Sequence, residues 1–69
     1  MTLHDHTEIS VREAVKIIRA RISLGYMPGD LGQLLDRRGT VQQAVQDLAR
    51  FTGFDEAVCM QAVEIVYGI

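Results

Sequence analysis

The stretch that most limits what this chain can fold into is Asp55 to Tyr67, D-E-A-V-C-M-Q-A-V-E-I-V-Y. Wound as a helix at about 100° per residue, it places Val58, Cys59, Ala62, Val63, Ile65 and Val66 over well more than half of its circumference. Met60 and Tyr67 widen that cover. Ala57, Gln61 and Glu64 remain as a narrow face for water. A helix apolar nearly all round is buried on several sides. The rest of the chain is therefore expected to wrap this one.

The chain has 69 residues, the length of a single domain. A core of that size is marginal, and small domains commonly need a disulfide, a metal or a second subunit. Cys59 is the single cysteine, so no disulfide forms within one chain. On the apolar helix it reads as a small hydrophobic residue, protonated and inert. The apolar fraction is 48% and the charged fraction 23%, more apolar surface than so small a sphere hides easily. A second copy of the chain is the expected staple.

Met1 to Glu8 is polar and without periodicity, and reads as a flexible tail ahead of one helical domain over residues 9–69. The tail lacks the basic start and apolar run of a secretory signal. No apolar run approaches the ~18 residues of a membrane span. A cytoplasmic protein is expected, with no membrane attachment.

Ser10 to Leu24 reads as the first helix. Ser10 followed by Glu13 matches a capping box. Val11, Val15, Ile18 and Ile22, with Ala14 beside them, form one apolar seam. Ile17 and Leu24 form a smaller stripe near Arg21, the expected dimer interface. Arg12, Lys16, Arg19 and Ser23 share the opposite flank as a basic ridge. Gly25 ends the helix, and Tyr26-Met27-Pro28-Gly29 reads as a loop. Its Tyr26 either folds back over the helix end or, with Met27, meets a partner. Asp30 caps a short second helix, Leu31 to Arg38, with Leu31, Leu34 and Leu35 on its apolar face. Arg37 and Arg38 complement that helix's dipole. Thr40 and Gln43 match a second capping box, opening a third helix from Val41 to Thr52. Gly53 stops it, and Asp55 is the expected cap of the last helix. Nothing reads as a strand. The fold class is all-α, a small bundle of about four short helices forming an intertwined or face-to-face homodimer.

Catalysis needs convergent groups: a nucleophile with a base, a carboxylate pair, or an open metal site. The region expected to be ordered contains no histidine, Cys59 has no base near it in sequence, and the carboxylates mostly sit at helix starts. An enzyme, a cofactor and a metal are therefore not expected. His4 and His6, with Asp5 and Glu8, are the nearest thing to a ligand set. A metal needs three or four preorganised ligands, and a tail does not supply that.

Leu48-Ala49, Gly53-Phe54-Asp55, Cys59 and Ala62-Val63 together resemble the helix-turn-helix signature of DNA-binding regulators. Thr52-Gly53, Cys59 and Ala62-Val63-Glu64 are also similar to the first two helices of ubiquitin-associated-type domains, including the N-terminal module of elongation factor Ts. Both resemblances imply two helices crossing closely at small residues, and the first implies DNA contact by the second helix. That helix has no Lys or Arg and carries Asp55, Glu56 and Glu64, whereas DNA affinity comes mostly from basic contacts to phosphate. The net charge of −2 adds no general attraction. Any nucleic-acid contact falls to Arg12, Lys16 and Arg19, helped by Arg37 and Arg38.

The expectation is a non-enzymatic regulator that binds and inhibits a partner protein, such as a transcription factor or another cellular machine. Accessory anti-activators of phages and plasmids are often this small. Arg12, Lys16, Arg19, Tyr26 and Met27 are the expected partner-binding residues, since arginine and aromatic groups anchor protein interfaces. The alternative is a small helix-turn-helix-like transcriptional regulator that touches DNA through the basic ridge.

Overall fold

The computed structural model describes the backbone of residues 3–69 and the side chains of residues 8–69. Four α-helices and no strand occur among the described residues. They are α1 (Leu3–Ser23), α2 (Leu31–Arg38), α3 (Val41–Thr52) and α4 (Glu56–Tyr67).

The apolar α4 is the centre of the packing. It lies against α1 on one side and α3 on the other, and α2 packs mainly on α3. Val58, Cys59, Ala62 and Val63 are its buried face. Ala14 and Ile18 of α1, Leu34 of α2, and Ala44, Val45 and Leu48 of α3 close the core around it. The wrapping is incomplete, because α2 is taken up by α3. Ile65 is left 57% exposed on α4.

Two helix starts differ from expectation. α1 begins at Leu3, so Ser10 is an interior helical residue and makes no capping box. Glu13 faces Lys16 instead, at 3.9 Å. Nothing between Leu3 and Ser23 is a glycine or proline, so no residue there breaks the helix ahead of Ser10. Residues 3–8 are thus helical backbone. The side chains of His4 and His6 lie outside the described residues. At the start of α4, Asp55 takes the N-cap position without a side-chain cap hydrogen bond. The other two caps form: Asp30 Oδ1 accepts from the Gln33 amide at 2.9 Å, and Thr40 Oγ1 from the Gln43 amide at 3.1 Å.

Thr52 closes the end of α3 and meets α4 through Cys59, its Oγ1 lying 3.9 Å from the Cys59 Sγ. Its hydroxyl donates to the Leu48 carbonyl at 2.8 Å and accepts from the Phe54 amide at 3.1 Å. Gly53 turns the chain there in the left-handed region, at φ 79°. At the other end of α4, the Tyr67 hydroxyl donates to the Pro28 carbonyl at 2.7 Å and ties the helix to the loop after α1. No described helix is long and apolar enough to cross a membrane.

Candidate interaction surface

The last turn of α1 builds the surface. Gly25, at φ 85°, turns the chain back, and its amide donates to the Ile22 carbonyl at 3.1 Å. The Tyr26 amide donates to the Arg21 carbonyl at 2.8 Å, and the Met27 amide to the same oxygen at 3.2 Å. A glycine one residue past the helix end, with the next amide bonding five residues back, is the Schellman arrangement. It brings Tyr26 back alongside Arg21 and drives Met27 inward.

The Arg21 side chain is held by aromatic rings from two elements. Its Cζ is 5.6 Å from the centroid of Tyr26 and 4.3 Å from that of Phe51, at the end of α3. A guanidinium within about 6 Å of a ring centroid is attracted by the ring quadrupole, worth ~0.5–1 kcal/mol at exposed sites. The two rings are themselves 61% and 62% exposed, so they hold Arg21 while facing water. Below Phe51, Arg38 Nη1 donates to Asp47 Oδ2 at 2.6 Å. Both partners are partly in water, so the pair adds at most ~1 kcal/mol. Arg21, by contrast, has no carboxylate partner among the described residues. Arg21, Arg38, Asp47, Phe51 and the buried Met27, Ala44 and Leu48 line a crevice of about 20 Å³. That is room for roughly one water.

The residues expected to contact a partner separate into three groups. Arg12, Lys16 and Arg19 are exposed on α1, as the ridge requires. Arg19 also borders an open hollow with Ile22, Ser23, Gly29 and Val66. Tyr26 stays exposed beside Arg21. Met27 does not join it. It is 6% exposed and belongs to the core, because the turn at Gly25 points the chain back under α1. Of the stripe expected to make a dimer, Leu24 is 71% exposed, while Ile17 is half-buried against the core.

Arg21 and Phe51 escaped the sequence reading as site residues. Arg21 was legible only as a neighbour of the Ile17/Leu24 stripe, and Phe51 only as the end of a helix. The signal that pairs Arg21 with Tyr26 is the spacing across Gly25. Nothing local in the sequence brings Phe51 to them, since that meeting depends on how α3 lies relative to α1.

α4 presents Glu56, Gln61, Glu64 and Ile65 outward and carries no basic residue. A helix in that position would face phosphate with acid. Compared with known protein families, with curated proteins and with solved structures, the chain matches none. Its sequence resemblances to helix-turn-helix and ubiquitin-associated-type pairs therefore carry no family assignment.

Proposed function

We propose that this chain is a non-enzymatic regulator that binds a partner protein and inhibits it, working as a homodimer. The observation that carries the reading is the pair of exposed rings, Tyr26 and Phe51, on either side of Arg21. Aromatic groups and arginine dominate the energetics of protein interfaces. A surface tyrosine and phenylalanine standing together expose apolar area of the kind that marks interaction sites. Leu24 adds apolar area at the same end of α1, and Arg12, Lys16 and Arg19 supply charge for steering an acidic target. Transcription factors and other regulated machines are the target class, and an accessory anti-activator is the type of protein. The second copy would cover α1 along Ile17 and Leu24.

Affinity capture tests the reading. The immobilised protein is exposed to host lysate with and without nuclease, and bound material is identified by mass spectrometry. One protein retained in both conditions, and released by a Tyr26→Ala, Phe51→Ala double variant, is the expected result. Retention abolished by nuclease would shift the function to nucleic-acid binding through Arg12, Lys16 and Arg19. Sedimentation equilibrium at tens of micromolar tests the dimer, and a monomer mass would remove it.

A further inference from the structure

We propose that the Arg21 crevice is an anchor for a carboxylate side chain in an acidic, apolar peptide segment of the partner, with Tyr26 and Phe51 gripping the apolar residue beside it. This rests on reading the protein as a partner-binding module. Arg21 and Arg38 converge on the crevice against Asp47 alone, so the site has one unmatched positive charge. Asp47 is already engaged by Arg38, at 2.6 Å. Arg21 is therefore a planar donor held by two rings and lacking an acceptor of opposite charge. Carboxylates suit that fork of N–H groups and bind it with charge-assisted hydrogen bonds. Because the rings already restrict the guanidinium, little side-chain freedom remains to be lost on binding. The crevice, about 20 Å³ in volume, has room for roughly one water. One oxygen of a carboxylate can enter it beside Arg21, and a nucleobase cannot. A phosphate chain draws its affinity from several cations along successive phosphates, whereas the crevice offers the one unmatched charge of Arg21.

The test starts from a displayed library of random peptides selected on the immobilised, full-length wild-type chain. The selected peptides are expected to share an Asp or Glu next to Leu, Phe or Trp. Calorimetry then compares the best peptide with its amide counterpart, in which that acid is Asn or Gln. Loss of the charged acceptor should weaken binding by about tenfold or more. Arg21→Gln should cost as much with the acidic peptide, and Arg50→Gln, in the separate hollow beside Asp55 and Glu56, should leave its affinity unchanged. The amide peptide on the wild-type protein keeps the test valid even if Arg21→Gln fails to fold. Selection of peptides without an acid, no enrichment at all, equal affinity for acid and amide, or an equal loss at Arg50→Gln overturns the proposal. So does a fluorescent oligothymidine that binds at Arg21 and displaces the peptide. The broader reading fails separately: it falls if no protein is retained from lysate. If a protein is retained but the acidic peptide does not displace it, only the carboxylate anchor falls.

Discussion

α1 and α4 are the two most extensively packed neighbours in the molecule, and they use their apolar residues in opposite ways. α4 has no cation and turns Val58, Cys59, Ala62 and Val63 inward, leaving Ile65 as its large exposed apolar group. α1 turns Ala14 and Ile18 inward but keeps Ile9 53% exposed, among Arg12, Lys16, Arg19 and Arg21, and Leu24 just past its end is 71% exposed. Both helices are therefore structural, but α1 also carries exposed apolar and basic groups side by side.

The sharpest way to break that contrast is to cut both kinds of residue. Ile18 is fully buried between α1 and α4, so Ile18→Ala should lose ~2–4 kcal/mol of stability through lost transfer energy and the cavity left behind. Leu24→Ala should stay within ~0.5 kcal/mol, as exposed substitutions do, yet weaken self-association. Urea denaturation at low protein concentration measures the first effect, and sedimentation the second. Equal losses of stability at the two positions would mean that Leu24 is held by the fold rather than offered to a partner.

The helix count, the loop after Gly25 and the core residues of α3 and α4 were legible from the sequence, because apolar spacing and glycine stops are local signals. Ser10 illustrates the limit. Its spacing to Glu13 matches a cap, but a cap exists only where the preceding residues leave the helix, and here they stay in it. Met27 illustrates another. In a loop a methionine reads as exposed, but the turn at Gly25 sends it under α1. The site was legible in part: Tyr26 and the ridge follow from position on α1, while Phe51 reaches Arg21 only through tertiary packing. The burial of α4 was read correctly in kind and overstated in extent, since covering Ile65 needs an element the chain does not place there.

A smaller effect separates how α3 and α4 are held. Thr40 accepts the Gln43 amide, so Thr40→Ala should cost ~1 kcal/mol, the usual value of a lost N-cap. Asp55 makes no such bond, so Asp55→Ala should cost clearly less. Thermal denaturation of the two variants gives the comparison directly. A matching loss at Asp55 would show that α4 depends on its cap as well as on its buried face, and would weaken the contrast with α1.

Tyr67 gives the finest test, because it joins the end of α4 to the loop that follows α1. Its hydroxyl donates to the Pro28 carbonyl, and replacing it by phenylalanine should cost ~0.5–1.5 kcal/mol, the net value of one such bond. Burial first, and the charge of Asp30 second, raise its pKa above the ordinary 10.0. The folded chain then holds that proton more tightly than the unfolded chain does. The contribution is complete below pH 10 and is lost as pH rises through the raised value. Cys59 behaves alike. Burial raises its pKa above 9.0, Asp55 and Glu56 add to the rise, and the Thr52 hydroxyl opposes it. Stability should therefore begin to fall above about pH 9, first through the thiol and then through the phenol. Tyr67→Phe should remove the later part of that decline and leave the earlier part in place. A pH series of urea midpoints for the wild type and this variant measures both. If the variant retains the whole alkaline decline, the loop does not hold α4 through the phenol, and the tie between the two helices rests on their buried faces alone.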